Sequence, residues 1–474
     1  MIPFAKFEPD RATFANDAAP AVTNALPVAD GWGPIPTLDV LTEALPDPCI
    51  GGIRVRTPAG VTRVFAGTAD AIYEMATDFT WNDVTGTGPY AVPAGDRWSW
   101  AVYGDRLIAT ALGQVSQYID ITSGSAFADL PGTPPQAKYN WVAGEYLVLG
   151  NHADAPQRIQ TSGIGDAGFW TVGERGCDFQ DFPDGGEVMG GVSSDNGAVV
   201  IQREKIRYMN VAQVGDYSFT TSTLNADRGT ISPFSIAQTG PGQFFYYSPD
   251  GFFLGAAGKP IGAERVDRWF REFADQNDIG SLRSVADPVR KIVWTQAQYQ
   301  SGIKFLLGYN WQLDRWCFSD LNVSEMLVIA IPSPTWDSQD VPIDEDTVAF
   351  DATAGGVDGF AAFDENLQLG FLSGASASAI IETSDVALVP GQRAWLQEAE
   401  VFTDCLNYTL EAGTLQRIGE EPEWGNPVSP YDPTGICHFR SSARMHRFRW
   451  TSAAGEVWKV ATGIEPVFVA EGRR

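Results

Sequence analysis

Short apolar runs and turn residues alternate along most of the chain. From Ile53 to Val389, an apolar run rich in β-formers is followed by a turn and then a second run. Most successive run centres lie about 40 to 50 residues apart, which is the period of propeller blades. The runs are Val64–Met75, Arg106–Ile119, Tyr146–Ile159, Ala198–Met209, Phe244–Leu254, Ile292–Tyr309 and Ala361–Leu372. The pattern predicts an all-β, propeller-like domain of about six or seven blades over residues 53–389.

Two segments of this domain give sharper local predictions. Tyr246–Phe253 is predicted to be a hairpin, because a Ser-Pro-Asp-Gly turn separates two aromatic pairs. In Glu264–Asp275 the apolar residues recur at helical spacing, with charged residues on the opposite face. A short amphipathic helix that covers an edge of the β structure is therefore expected there.

The two ends of the chain differ from the repeating part. Residues 1–52 are interrupted by eight prolines and predict an extended N-terminal arm, which lies on a surface or reaches a neighbouring subunit. Residues 390–474 predict a small C-terminal β domain. Its predicted strands are Trp395–Phe402, Leu406–Leu410, Arg444–Trp450 and Glu456–Ala461, the last two flanking a turn at Thr451–Gly455.

The charge balance limits the function classes. With 32 basic and 59 acidic residues, the net charge is 32 − 59 = −27. Gripping nucleic acid requires clustered cations, and docking on anionic membranes requires the same. The sequence therefore favours a soluble protein that repels polyanions. We find no signal-peptide pattern at the N-terminus and no apolar stretch of membrane-spanning length, so no membrane anchoring is expected.

Candidate catalytic and metal-binding chemistry is sparse. The five cysteines are odd in number and far apart, which indicates reduced thiols rather than a disulfide scaffold. Cys437, His438 and His446 lack the spacing of a structural zinc site. Phosphate-binding loops, nucleophile elbows and zinc-protease motifs are absent from the sequence. We predict no enzyme activity, no catalytic residue, no cofactor and no metal.

Three polar segments have a weaker functional interpretation beside a structural one. Ser193–Gly197 is similar to the start of the Asp-box of sialidase propellers but lacks its aromatic ending, so a turn is favoured. Asp181–Glu187 is interpreted first as a turn and second as a cation site. A calcium site at Asp340, Asp344 and Asp346 lacks the EF-hand glycine and glutamate spacing, which favours a solvated loop.

Two charged segments are candidate functional sites. Residues 336–359 form an acidic and then glycine-rich insertion, which we interpret as an exposed, channel-facing loop. Its acidic residues are Asp337, Asp340, Asp344, Glu345, Asp346 and Asp351. The C-terminal domain holds a basic strand comprising Arg440, Arg444, Arg447 and Arg449. These arginines either pair with local carboxylates or dock onto an acidic surface of a partner.

The order of segments resembles the tail hub, tail nozzle and packaged-DNA stabilisation proteins of short-tailed bacteriophages. The resemblance begins with Asn24–Pro27 and Gly31–Pro36. It continues through Ala198–Met209, Gly229–Ser232, Phe244–Leu254, the helix near Val266–Phe273, Ile292–Trp294, Phe305–Tyr309 and Asp314–Cys317. These are patterns of hydrophobicity and order over about two thirds of the chain, and the acidic insertion departs from them.

The resemblance implies a structural virion protein of the phage tail, made in the host cytoplasm. It implies a β-rich subunit in a homo-oligomeric, hexameric ring below the portal and adaptor, with attachment sites for tail fibres or spikes. Double-stranded DNA would pass through the ring during ejection without specific binding. The acidic charge agrees with such a conduit, because carboxylates facing DNA keep it from adhering.

Two alternatives remain open at this point. The first is a carbohydrate-binding or carbohydrate-degrading propeller of the phage tail, in which Trp81, Trp98 and Trp100 stack on sugars and Asp195 or Asp250 acts in cleavage. Tryptophans in such positions are more often part of a blade core. The second is a head-completion or tail protein of another phage morphology, which the sequence separates poorly from a nozzle.

Overall fold

The fold is a seven-bladed β-propeller joined to a C-terminal β-sandwich. The structure is a computed structural model that describes residues 1–14, 17–214, 217–330 and 358–472. Within these ranges, seven antiparallel sheets have four strands each. The predicted all-β propeller class is confirmed, and the blade count is the upper of the two values expected.

The blades follow one another along the chain. Blade 1 comprises Gly52–Arg56, Thr62–Gly67, Ile72–Met75 and Trp81–Asp83. Blade 2 comprises Ser99–Tyr103, Arg106–Thr110, Gln117–Asp120 and Ala128–Asp129. Blade 3 comprises Ala137–Ala143, Tyr146–His152, Arg158–Thr161 and Phe179–Asp181. Blade 4 comprises Val188–Ser194, Gly197–Gln202, Ile206–Val214 and Tyr217–Asn225. Blade 5 comprises Ala237–Gly240, Gln243–Ser248, Gly251–Leu254 and Lys259–Pro260. Blade 6 comprises Arg283–Asp287, Ile292–Gln298, Lys304–Asn310 and Arg315–Ser319.

Blade 7 closes the ring with a strand from the other end of the chain. Its first three strands are Met326–Ala330, Asp358–Phe363 and Gln368–Ser376, and its fourth is Pro36–Ala44. Leu38 lies opposite Leu372 in this pairing. Pairing between an early and a late strand thus closes the ring, and residues 36–44 of the predicted arm belong to the propeller.

Hydrophobic clusters between successive blades hold the ring together. One such cluster joins blades 1 and 2, another joins blades 4 and 5, and a third packs Leu327 of blade 7 against Val64 and Ala66 of blade 1. A blade sheet has two apolar faces, so each face needs a neighbouring blade to exclude water. This requirement accounts for the periodic apolar runs of the sequence.

The sandwich is built from both ends of the chain. One sheet contains Ile436–Ala443, Arg393–Thr403, Ala461–Gly472, Gly31–Pro34 and Ala25–Val28, with Ile2–Pro3 paired to its third strand. The other contains Glu423–Trp424, Tyr408–Leu415, Met445–Ser452, Ile380–Glu382 and Val22–Thr23. Lys6–Phe7 and Ala18–Ala19 form a separate parallel pair. The structure therefore places much of residues 1–52 inside the sandwich of the same chain.

The propeller and the sandwich share one hydrophobic core. Buried residues of blades 5 to 7 form a continuous cluster with Leu396 and Trp450 of the two sandwich sheets. The predicted helix is confirmed as α1, Asp267–Phe273, and it packs against the arm through a Phe7–Trp269 ring contact of 5.5 Å. Two 3-10 turns, Pro233–Ser235 and Ile279–Ser281, complete the helical content of the described residues.

One predicted strand of the C-terminal domain is wrong. Glu456–Val460 is a loop, and the last strand begins only at Ala461. The Asp404 carboxylate accepts hydrogen bonds from the backbone N–H groups of Lys459 and Val460 at 2.9 and 3.0 Å. Because a side chain satisfies these donors, the segment has no need of a strand partner.

Candidate functional site

A cavity lies on the propeller axis, at the end of the ring where the innermost strands begin. Its volume is about 340 Å³, and all seven blades contribute to its wall. Each blade contributes a lining residue from its innermost strand or from just before that strand: Ile53, Trp100, Asn140, Gly191, Ile236, Arg283 and Met326. A concave site at which all blades converge is the best-formed candidate binding site in the propeller.

Three charged side chains form a cluster on the cavity wall. The guanidinium groups of Arg97 and Arg283 both donate to Oε2 of Glu325, the latter at 2.8 Å. Arg97 and Glu325 are each only 7% exposed as side chains. Two cations that share one anion leave an excess of one positive charge, within a chain whose net charge is −27.

Burial changes the acid–base properties of this cluster. Desolvation lowers the pKa of Arg97 to about 10, against the opposing effect of Glu325. The nearby thiol of Cys49 has its pKa raised to about 12, first by burial and then by the Glu325 charge. Arg97 therefore keeps its charge at neutral pH, whereas Cys49 remains a protonated, unreactive thiol.

The polar and aromatic parts of the wall are fixed by contacts within the blades. Ser99 donates to the Asn140 side chain at 3.0 Å, and Asn140 donates onward to Thr110 at 3.0 Å. The Arg97 guanidinium lies 4.6 Å from the centre of the Phe234 ring. A side chain at Gly191 would meet the Trp141 ring at 2.2 Å, so this part of the wall requires glycine.

The cavity can bind a ligand, and the thiol beside it is not a nucleophile at neutral pH. Cys49 is protonated, and no group of three or more His, Cys, Asp or Glu within the described ranges is placed to hold a metal ion. Sequence reasoning missed Arg97, Arg283 and Glu325, because they lie on three blades far apart in the chain. A local signal was the position of Arg97 beside Trp98 and Trp100, a cation next to two aromatic residues.

The tryptophans considered for sugar binding occupy different environments. Trp98 and Trp100 both line the axial cavity, and Trp98 is mostly buried and donates its indole N–H to the carbonyl of Thr68 at 2.8 Å. Trp81 lies elsewhere and donates to the carbonyl of Glu43 at 3.1 Å. Trp98 is thus also part of a blade core, whereas the indole N–H of Trp100 has no partner among the described residues.

The two aspartates considered for sugar cleavage are not brought together. Asp195 lies in the first turn of blade 4, and Asp250 lies in the second turn of blade 5. Successive strands of a blade are antiparallel, so these turns lie at opposite ends of the ring. A glycosidase needs its two carboxylates within about 5 to 10 Å of each other, and this pair does not meet that requirement.

The acidic turn Asp181–Glu187 is occupied by ion pairs. Arg158 holds Asp181 through two hydrogen bonds of 2.7 and 2.9 Å. Lys205 and Arg207 both contact Asp184. These carboxylates serve local structure, in agreement with the interpretation of the segment as a turn.

The four arginines predicted to form one basic strand lie on two strands and the turn between them. Arg440 is on Ile436–Ala443, Arg444 is in the turn, and Arg447 and Arg449 are on Met445–Ser452. They divide into two pairs. Arg447 is buried and donates to Asp385 at 2.8 Å, and Arg449 donates to Glu382 at 2.8 Å. Arg440 and Arg444 are exposed, and neither forms an ion pair with the described residues. Local carboxylates therefore occupy one pair, while the other pair remains available to a partner.

The remaining candidate residues have simple placements. Asp337, Asp340, Asp344, Glu345, Asp346 and Asp351 lie outside the described residues. His438 is exposed beside Glu398 at 3.3 Å, His446 is buried in the other sandwich sheet, and all five cysteines are buried, free thiols. No helix of the described chain is both long and apolar enough to cross a membrane.

Comparisons with known proteins find only remote similarity. No protein-family profile and no curated protein matches the chain. Among solved structures, it is similar to the computationally designed Ika8 protein (9% identity, TM-score 0.38, 74% of this chain and 95% of that one). It is also similar to a streptogramin B lyase, with 10% identity and a TM-score of 0.37 over 70% of this chain and 96% of that one. A third similar structure is BamB from Moraxella catarrhalis, with 12% identity and a TM-score of 0.34 over 73% of this chain and 95% of that one.

Proposed function

We propose that the chain is a structural virion protein, a nozzle or hub subunit of a short-tailed phage. One observation carries the proposal. Among the segments that carry the resemblance to tail nozzle proteins, Gly31–Pro36 and Asp314–Cys317 contact each other at the junction of propeller and sandwich. Arg315 donates to the carbonyls of Val28 and Gly31 at 2.8 and 3.1 Å. Two of the resembling segments thus meet at the joint between the two domains.

Asn24 supports the same interpretation from the other side of the joint. Its side chain donates to Asp320 at 2.7 Å and to the Ser378 carbonyl at 2.9 Å. Ser319 donates back to the Asn24 side-chain oxygen at 2.7 Å. A single arm residue thus ties the end of blade 6 to the segment that enters the sandwich. Close packing between the two domains makes the subunit stiff, as the wall of a tail channel requires.

The last strand of the sandwich supports assembly into a ring. From Glu465 to Gly472 it pairs on one side only, within the described chain. Val467, Phe468 and Val469 on this free edge are 49, 37 and 50% exposed. An unpaired edge with apolar side chains is a surface that another chain can cover.

The charge balance supports passage of DNA. A subunit with 59 acidic and 32 basic residues repels a duplex, which prevents adhesion during transit. Within the proposal, the loop with Asp337 to Asp351 faces the lumen, while the exposed Arg440 and Arg444 face a neighbour, adaptor or fibre.

The proposal is tested by the assembly state of the full chain. The purified protein, alone and mixed with a portal–adaptor complex from a short-tailed phage that encodes it, is examined by light scattering and negative-stain electron microscopy. We expect rings of about six copies, formed alone or on the adaptor. A Val467→Glu/Val469→Glu variant should lose the ring and keep the monomer fold.

The matched control is Val61→Glu/Val289→Glu, which changes two exposed valines on the propeller instead. This variant should assemble like the unchanged chain. A protein that stays monomeric in every condition, including with the adaptor present, would contradict the proposal. Cleavage of a polysaccharide by the isolated chain would favour the carbohydrate-active alternative instead.

A further inference from the structure

The axial cavity has a charge opposite to that of the molecule as a whole. Arg97 and Arg283 share the single carboxylate of Glu325. Lys304 lies close enough to this cluster for Arg283 to help lower its pKa, after the larger effect of burial. Such an arrangement around an otherwise open space favours one further anion.

Hydrogen-bond donors of the cluster remain unused. Arg97 donates from Nε to the carbonyl of Ile50 and from Nη2 to Glu325. Arg283 donates from Nη1 only, to Glu325 and to the Ser324 carbonyl. Among the described residues, Nη1 of Arg97 and both Nε and Nη2 of Arg283 have no partner. A planar guanidinium with free N–H groups is suited to a carboxylate.

The aromatic wall supplies a third observation, independent of the arginines. The indole N–H of Trp100 is buried and has no hydrogen-bond partner in the described chain. An unsatisfied buried donor is costly, and a ligand oxygen in the cavity that Trp100 lines would satisfy it. Phe234 lines the same cavity and offers an apolar surface for the body of a ligand.

We propose that the axial cavity binds a small aromatic carboxylate, with the carboxylate at Arg97 and Arg283 and the ring against Phe234 and Trp100. The cavity volume of about 340 Å³ accepts a single ring with its carboxylate and lies at the small end of ligand pockets. This binding function is separate from the proposed role in the tail, and neither depends on the other.

The test uses benzoate and its neutral isostere benzamide as probes of the full-length chain. Isothermal titration calorimetry should show one benzoate site per chain, with benzamide bound at least about tenfold more weakly. Inorganic phosphate is the third probe and should bind more weakly than benzoate. Equal affinity for benzoate and benzamide, preference for phosphate, or no benzoate binding up to about 10 mM would overturn the proposal.

Two variants locate the site. Arg283→Gln should weaken benzoate binding about tenfold, because it removes the less buried guanidinium while Glu325 keeps Arg97. The matched control is Arg63→Gln, whose arginine pairs with Glu74 in blade 1, outside the cavity. It should bind benzoate like the unchanged chain. Equal affinities of both variants would overturn the assignment.

A second measurement keeps the proposal testable if Arg283→Gln does not fold. In the unchanged protein, the indole N–H resonance of Trp100, assigned by its loss in Trp100→Phe, should shift on addition of benzoate. The resonance of the buried Trp316 serves as the internal reference, because Trp316 does not line the cavity and its N–H is bonded to the Ile261 carbonyl at 2.9 Å. A Trp100 resonance unchanged at saturating benzoate would place the ligand elsewhere and contradict the proposal.

Discussion

At the scale of single residues, the buried charges of the axial cavity are the most sensitive positions in the propeller. Glu325 compensates both Arg97 and Arg283, and its side chain is 7% exposed. Removing one partner of a buried ion pair leaves an uncompensated charge, which costs far more than breaking a surface pair. The contacts at the axis therefore contribute to closing the ring as well as to shaping the cavity.

Glu325→Gln should destabilise the protein by about 3 to 5 kcal/mol, because it leaves two guanidinium groups without their anion. The measurement is the midpoint of urea unfolding, followed by tryptophan fluorescence. The control is Glu187→Gln, which breaks the more exposed Arg203–Glu187 pair of 3.0 Å. It should change stability by less than about 1 kcal/mol. Similar losses in the two variants would contradict a special role for the axial carboxylate.

Buried His446 makes the stability of the protein depend on pH. Burial, assisted by the Arg393 charge, lowers the pKa of His446 to about 4, and its Nδ1 has no partner in the described chain. The folded state therefore holds a neutral imidazole, whereas the unfolded state takes up a proton below the ordinary value of 6.5. The stability from this group is complete above pH 6.5 and is lost as the pH falls towards 4.

Comparison with His446→Gln isolates this effect from the titration of carboxylates. The free energy of unfolding of the unchanged protein, minus that of the variant, should fall by up to about 3 kcal/mol between pH 6.5 and 4. Urea titrations at several pH values measure the difference. A difference that stays constant, or grows as the pH falls, would show that His446 is protonated in the folded state.

At the scale of elements, the closing strand Pro36–Ala44 decides whether the propeller is a ring. It completes blade 7 by pairing with Gln368–Ser376. Gly370 lies opposite Val40 of the closing strand. A Cβ there would lie 2.8 Å from the backbone oxygen of Asp39, a distance that real Cβ atoms do not adopt.

Gly370→Ala should push the closing strand away and destabilise the protein by about 1 to 3 kcal/mol. The matched control is Gly280→Ala, because a Cβ at Gly280 would meet its nearest atom only at 3.9 Å. The control should change stability by less than about 1 kcal/mol. Thermal unfolding and protease sensitivity of residues 36–44 compare the two variants. If Gly370→Ala is as stable and as resistant as Gly280→Ala, the strand does not hold the ring.

The sequence predicts local elements well and long-range pairing poorly. The hairpin around Asp250 and the helix around Trp269 follow from turn chemistry and helical spacing, and the structure has both. The partner of the closing strand lies more than 300 residues away, and no local pattern specifies it. The predicted strand Glu456–Ala461 fails for a related reason, since the remote carboxylate of Asp404 bonds its backbone.

The candidate site was less accessible to sequence reasoning than the fold. Arg97, Arg283 and Glu325 meet only because the ring brings blades 2, 6 and 7 to one axis. The conspicuous arginines of the C-terminal domain, in contrast, include Arg447, whose partner Asp385 is buried in the same sandwich. Local charge density could not tell which of the four arginines pair within the chain, because pairing depends on the fold.

At the scale of the whole molecule, the proposal joins three features: a closed propeller, a sandwich interwoven with it, and a net charge of −27. The propeller and the sandwich share one hydrophobic core. The net negative charge supports a DNA channel only if the carboxylates line a passage. If they prove evenly scattered over an outer surface, the charge serves solubility alone.

The central claim is tested most directly by a cryo-electron-microscopy map of the assembled tail of the phage that encodes this chain. The proposal predicts a ring of about six copies directly below the portal and adaptor, with acidic residues on the lumen and Arg440 and Arg444 against a neighbour. A map that places the chain outside the DNA path, or as a single peripheral copy, would contradict it.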